Sequence, residues 1–353
     1  MGESCGVSGA ISIINAYICP EASSECMTTL DKIKAPVAGE LEKYEEYLRG
    51  SLYSDNPLAH DMLVYVFNTR GKAIRPLMVL LTAAIHNGGE PLPEDSYLAA
   101  MLLEMIHTAT LVHDDVIDEA FIRRGKPSVN ALWQSQKAVL IGDFILAKSF
   151  QVGMQSGAYQ IVEYITRVMP ALCEGELTQS MQSDRLEMTR EIYADIIYRK
   201  TATLMGTSCG VGAMSAGASP EQVAKMKEMG DAIGMAFQIK DDILDYKPAS
   251  ATGKPLCGDL RERKITLPLL TVLEKSSPAA RKNIIALLSE VRGKPSNAEK
   301  LHAIVLEQGG LEMAAEVMNG YVAKAAEFLM QCPLSAYRDS LEKLFGYVAS
   351  RDM

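Results

Sequence analysis

From Leu30 onward, apolar residues recur at the three- and four-residue spacing of helices that bury one face, and no β-branched run bounded by hairpin turns interrupts them. The pattern predicts an all-α fold. Clusters of Gly, Pro, Asn and Ser place breaks at 54–57, 87–93, 124–127, 183–190, 216–220, 247–258, 276–278, 293–295 and 309–310. They divide the chain into roughly ten to twelve helices, two of which run over 97–119 and 220–246. Met recurs on several of these faces, and the nineteen in the chain read as adaptable core packing rather than as a cofactor box.

Composition narrows the class. With 353 residues, 48% hydrophobic and 22% charged, the chain has ample apolar surface for a large core. No Pro/Gly/Ser-rich or charge-run linker divides the interior, so a single domain over 28–353 is expected behind an N-terminal extension at 1–27. That extension has a short apolar patch at 10–14 without a basic segment before it, which argues against a signal peptide; it is either a loose extension or upstream of a start at Met27. No apolar stretch reaches the roughly 18 residues of a spanning helix, since 98–112 is broken by Glu104 and His107. The net charge of −9 and the lack of a dense Lys/Arg tract exclude a nucleic-acid surface, so an anionic substrate needs a local basic pocket. Seven cysteines (Cys5, Cys19, Cys26, Cys173, Cys209, Cys257, Cys332), odd in number and without a C-x-x-C pair, read as reduced thiols in a cytoplasmic protein.

The chemistry is concentrated in a repeat. Asp114-Asp115-Val116-Ile117-Asp118 and Asp241-Asp242-Ile243-Leu244-Asp245 both read D-D-x-x-D, and each closes one of the two long helices. Helical geometry puts the first and fifth Asp of each pentad on one face, one turn apart, with the second Asp beside them. Each pentad is a carboxylate cluster beside an apolar helix, an arrangement suited to a hard cation such as Mg²⁺ shared with substrate phosphates. Solvated helix ends would explain one such cluster; two make that explanation poor.

The surrounding blocks resemble those of the trans-polyprenyl diphosphate synthases. Residues 104–118 followed by Arg123-Arg124-Gly125-Lys126-Pro127 are similar to the first Asp-rich region of that family, and Phe237-Gln238-Ile239-Lys240 with the second pentad to the second. Gly71-Lys72-Ala73-Ile74-Arg75-Pro76, Lys200-Thr201, Gly253-Lys254 and Lys264-Ile265-Thr266-Leu267-Pro268 follow in the family's order. The upstream block departs in one respect: where the family usually reads Gly-Gly-Lys-Arg, this chain has Arg70-Gly71-Lys72-Ala73. The resemblance runs from about Leu30 to the C-terminus and implies an isoprenoid synthase-type bundle that couples isopentenyl diphosphate to an allylic diphosphate, farnesyl or geranylgeranyl. Departure of diphosphate is the difficult step, and metal ions neutralising charge on the leaving group contribute several kcal/mol.

The same resemblance implies roles residue by residue. Asp114, Asp118 and Asp241 would hold Mg²⁺, three ions with substrate bound, supported by Asp115, Asp242 and Asp245. Arg123, Lys200 and Lys254 would grip the allylic diphosphate; Lys72, Arg75, His107 and Arg124 would bind isopentenyl diphosphate, with Lys264 a further substrate contact. Thr201 and Gln238 would lie near the forming carbocation. His107 stands about two turns before Asp114 on its face, whereas His113 is expected only to pack beside the metal site. Glu174, Glu176 and Gln179 match a further family segment, with no direct role expected. A homodimer, and at most peripheral membrane contact for product release, are also implied.

Product length in this family depends on what closes the channel below the first pentad. Ala109 and Thr110, where a large aromatic would act as a floor, are small; Met105 and Met101 below them are flexible, and Phe150 is a candidate floor. A long product, hexaprenyl to decaprenyl for a quinone side chain, is therefore expected over a farnesyl or geranylgeranyl one. Two other classes compete. Glu104-Met105-Ile106-His107 and Glu299-Lys300-Leu301-His302 fit the E-x-x-H spacing of di-iron bundles, but that reading leaves the basic and Asp-rich blocks unexplained. A non-catalytic subunit of a heteromeric synthase would be expected to lose aspartates, and all six are present.

Overall fold

The computed structural model describes residues 28–69, 71–247 and 256–350. Helix accounts for nearly all regular structure, as the apolar spacing predicts. The chain runs α1 (Thr29–Lys34), α2 (Ala38–Ser51), α3 (Pro57–Asn68), α4 (Ile74–His86), α5 (Glu94–Ile117), α6 (Val129–Trp133), α7 (Ser135–Ser156), α8 (Tyr159–Thr166) and α9 (Met169–Arg185). It continues through α10 (Arg190–Ile197), α11 (Thr203–Ser215), α12 (Pro220–Leu244), α13 (Gly258–Arg261), α14 (Leu267–Lys275), α15 (Pro278–Ser289), α16 (Ser296–Glu307), α17 (Gly310–Leu329) and α18 (Ala336–Ser350).

Local chemistry sets the ends of the elements that carry the site. Ser219 and Gln222 form a reciprocal capping box at the start of α12, with Pro220 in its first turn; α5 begins after Pro93 with Glu94 and Asp95 at the pole that favours negative charge. The middle of the bundle consists of α4 and α11, where every residue of 76–85 and of 203–213 is buried. Helices apolar all round can only sit inside. Around them pack α5 and α12, with α17 outside α12 and α7 outside α5.

Three features depart from the predicted pattern. Residues 122–127 form a small antiparallel ribbon, Ile122–Arg123 against Lys126–Pro127, where only a turn was expected. Arg124 and Gly125 both take left-handed φ, +53° and +73°, the backbone of a tight two-residue hairpin turn, so Arg stands where Asn or Asp would signal one. Between α10 and α11, Tyr198–Ala202 winds as a π-helix without breaking the rod. Extra breaks at Gln134 and Gly157, also left-handed, divide what the sequence pattern joins. Cys173, Cys209, Cys257 and Cys332 are free thiols; Cys5, Cys19 and Cys26 lie outside the described residues, as does the 1–27 extension. Among the described residues no helix is long and apolar enough to cross a membrane.

Candidate active site

Each pentad occupies the last turn of its helix. Asp118 and Asp245 cap α5 and α12, their backbone N–H groups donating to the carbonyls of Asp114 and Asp241. The carboxylates thus crowd the pole where the backbone dipole disfavours negative charge, and neither last turn carries a basic residue. Burial, with Glu176 and Asp118 nearby, pushes the Asp114 carboxyl up to about 6 despite the opposing pull of Lys200. Oxygen ligands under such strain fit a hard divalent cation. Among the described residues no three ligating side chains converge to hold an ion alone, so water and substrate phosphate would supply the remaining ligands.

The second aspartates do different work. Asp115 is 2% exposed, and its Oδ1 accepts both Nε and Nη2 of Arg123 at 2.6 Å, while Asn130 donates to its backbone carbonyl. Asp242 is likewise buried and accepts Tyr193 OH at 2.6 Å and Gln238 Nε2 at 3.0 Å. Burial raises its carboxyl, with Asp241 and Asp245 adding to the effect. Asp245 accepts the backbone N–H groups of Gly258 and Asp259 at 3.0 and 3.1 Å, pinning the start of α13 to the end of α12.

Basic groups join the two clusters. Lys200 lies on the π segment, 2.5 Å from Glu176 Oε2, and donates to Gln179 Oε1 at 2.9 Å. The adjacent Thr201 hydroxyl donates to Gln238 Oε1 at 2.7 Å, which connects Lys200, through Thr201 and Gln238, to Asp242. Lys264 sits 2.5 Å from Glu262 and 3.7 Å from Asp118, and these acids with Asp259 raise its ammonium against burial. Lys254 lies outside the described residues. Sequence reasoning missed Tyr193 as a partner of Asp242 behind the second pentad, and expected no direct role for Glu176 or Gln179.

A second group gathers beside Asp115. An open cleft is lined by Glu104, His107, Asp115, Arg123 and Arg124 together with Tyr65 and Thr69. His107 is held neutral, its imidazole pushed well below the usual range by burial and by Arg75, Arg124 and Arg123. Arg75 is brought down to about 10 by burial, an effect that Glu104 opposes. Lys72 is exposed and donates to Tyr347 OH at 2.6 Å on α18. His113 turns away, its Nε2 3.2 Å from the Val139 carbonyl and 3.4 Å from Asp143, packed over Gly142.

Below the first pentad lies a smaller cavity, lined by Leu102, Ile106, Ser149, Phe150, Val162 and Ile165 among others. Phe150 is among its lining residues. On α5, however, the wall is Ile106 and Leu102, one and two turns below Thr110, and Met105 and Ala109 are fully buried outside this lining. Thr110 donates its hydroxyl back to the His107 carbonyl at 2.8 Å.

Comparison with known proteins agrees with this layout. A family model described as polyprenyl synthetase matches residues 56–305. The chain is 34% identical, over 82% of its length and 89% of the relative's, to a short chain isoprenyl diphosphate synthase of Methanothermobacter thermautotrophicus. It is equally 34% identical, over 88% of its length and 95% of the relative's, to an all-trans-nonaprenyl-diphosphate synthase (geranyl-diphosphate specific) of Rhodobacter capsulatus. Among solved structures, a polyprenyl synthase from Caulobacter crescentus complexed with calcium and isoprenyl diphosphate superposes with a TM-score of 0.84 at 28% identity, covering 95% of this chain and 100% of that one. A match across this much of the sequence, carrying both pentads at the ends of their helices, makes the chain a member of the polyprenyl synthetase family of prenyltransferases.

Proposed function

We propose that this protein elongates an allylic diphosphate with isopentenyl diphosphate, in a Mg²⁺-dependent reaction, to an all-trans product longer than farnesyl. The observation that supports this best is the vertical order of the site: carboxylates at two helix ends, cations beside them, and a mostly apolar cavity under the first pentad without an aromatic at 109 or 110. Asp114, Asp118 and Asp241 would hold Mg²⁺, three ions with substrate bound, which would supply positive charge to neutralise the departing diphosphate. Lys200, Arg123 and Lys254 hold that diphosphate. Arg75, Arg124, Lys72 and a neutral His107 hold isopentenyl diphosphate in the neighbouring cleft, and Lys264 steadies Asp118. Thr201 and Gln238 present oxygen dipoles toward the forming cation.

The deciding experiment is chromatography of products from isopentenyl and farnesyl diphosphates with and without Mg²⁺. Long-chain products abolished by Asp114→Ala and by Asp241→Ala are expected; turnover surviving both substitutions would falsify the metal assignment. A shorter product is the second reading, favoured by the modest size of the cavity below Thr110, and accumulation of geranylgeranyl diphosphate alone would establish it.

One catalytic domain spans 28–353 in this reading, acting in the cytoplasm with at most peripheral membrane contact to pass on its product for a quinone side chain. It works as a homodimer. The outer face of α7 supports that assembly: Leu140, Phe144, Ala147 and Met154 follow at three-, four- and seven-residue steps, and Leu140 and Met154 are 61% and 55% exposed. Light scattering of the purified chain should give twice the monomer mass.

A further inference from the structure

Lys200, one of the groups assigned to the allylic diphosphate, is gripped from α9. Gly175 faces the π segment so closely that a β-carbon there would stand 3.0 Å from Lys200 N and 2.9 Å from Arg199 Cβ. Its two chain neighbours lie about 100° to either side of it on the helix, and so straddle the contact. On the outer side the Glu174 side chain, 60% exposed, pairs with Arg199 at 2.5 Å, and Arg199 is also tied to Asp195 on α10. On the inner side the Glu176 side chain, 23% exposed, pairs with Lys200 at 2.5 Å. Gln179, three residues on and on the same face, accepts from the same ammonium at 2.9 Å. A solvated outer pair contributes little, so the inner one is where an acid on α9 has leverage.

Among the described residues Glu176 is the acid in ion-pair contact with Lys200. Asp114 lies beyond that distance, yet its carboxyl feels both members of the pair, with opposite sign. An ammonium has three N–H donors, and Glu176 and Gln179 take two of them. We infer that Glu176 is a positioning residue for the allylic diphosphate: it holds Lys200 beside Asp114 but off it, with one donor left for a phosphate oxygen. Released from Glu176, the flexible four-carbon stem lets the ammonium turn onto the Asp114 carboxylate, where it is lost to the diphosphate. Fixing it lowers the cost of binding, because the side chain is ordered already. Glu176 touches no substrate in this account. Its effect is confined to the allylic side, since no residue of α9 lines the cleft that holds His107 and Arg124. The inference rests on the reading that Lys200 binds the allylic diphosphate.

The test uses the full chain and varies one substrate at a time. Glu176→Gln, which keeps shape and removes charge, should raise KM for farnesyl diphosphate about fivefold, leaving KM for isopentenyl diphosphate within about twofold. Glu174→Gln, which opens the outer pair of the same clasp, should leave both within about twofold. In a Lys200→Gln background Glu176→Gln should add nothing to the farnesyl KM, because it acts through that ammonium. Gln179→Met removes the second acceptor and should show the same allylic-specific rise, which carries the test if Glu176→Gln does not fold. An unchanged farnesyl KM in Glu176→Gln, equal rises for both substrates, or a matching rise in Glu174→Gln overturns the inference. A lowered farnesyl KM overturns it too, since the acid would then be competing with the diphosphate for Lys200. Insensitivity of that KM to Lys200→Gln instead overturns the assignment of Lys200 itself.

Discussion

The guanidinium of Arg124 lies against the backbone of Gly71, so close that a β-carbon at 71 would stand 2.6 Å from Arg124 Cζ and 2.7 Å from Nη2. Gly71 has no left-handed φ, so its value is the missing side chain rather than its backbone freedom. The contact joins the segment before α4 to the ribbon after α5, the two sources of cations for the cleft. Gly71→Ala would meet only the far end of a flexible side chain. Stability should hold or rise by up to about 1 kcal/mol through the unfolded state, while KM for isopentenyl diphosphate rises severalfold. Thermal melts and initial rates on the same preparation check both halves.

The π segment is seated between two glycines of a different kind. A β-carbon on Gly234 of α12 would lie 2.6 Å from Ala202 Cα, and one on Gly175 of α9 would lie 2.9 Å from Arg199 Cβ and 3.0 Å from Lys200 N. These are mostly backbone contacts, which cannot yield cheaply. The extra residue in the π winding lets Lys200 reach α9 while Thr201 reaches Gln238 on α12. Gly234→Ala should cost about 1–3 kcal/mol of unfolding free energy and raise KM for the allylic substrate. Denaturant titration and kinetics would show a purely structural role if KM stayed constant.

Product length tests the cavity below Thr110. Phe150→Ala removes its largest lining side chain and should lengthen the dominant product by at least one isoprene unit. Ile106→Phe should shorten it, since Ile106 lines the cavity from α5 one turn below Thr110. Ala109→Phe should shorten it as well, though by pressing on a fully buried neighbourhood rather than by filling the cavity. Reverse-phase chromatography of dephosphorylated products separates these outcomes; a distribution that none of the three moves places the floor elsewhere.

Much of this was legible in the chain because it is local. Two pentads at helical spacing, each following an apolar run, announce carboxylate clusters, and contiguous motifs carry Arg75, Arg123, Lys200 and Gln238 into place. What stayed hidden depends on distance along the chain or on a single residue of winding. Tyr193 meets Asp242 across 49 positions, and no sequence pattern couples them. Apolar spacing cannot register the one-residue insertion at Tyr198–Ala202. The choice between Met105 and Ile106 as cavity wall was illegible because α5 is buried on nearly every side from 96 to 106, so periodicity names no inner face.

His107 gives the site a pH signature whose sign follows from its surroundings. Burial comes first and the three arginines next in holding its imidazole far below the ordinary value of 6.5. The unfolded chain regains that ordinary value, so below it the unfolded state binds a proton that the folded state refuses. The stability contributed by neutral His107 is thus fully present above about pH 6.5 and is lost as pH falls toward the folded-state value, by up to about 1.4 kcal/mol per pH unit. His107→Gln keeps a neutral hydrogen-bonding side chain and cannot take up that proton. The gap in unfolding free energy between the two proteins, followed from pH 8 to pH 5, should stay flat above 6.5 and then close or reverse in favour of the variant. Bound isopentenyl diphosphate adds negative charge beside the imidazole, so the acid-side loss in the wild-type protein should become shallower when substrate is present. A parallel pH course for wild type and variant would mean that His107 is charged in the folded protein and that the arginines do not govern it.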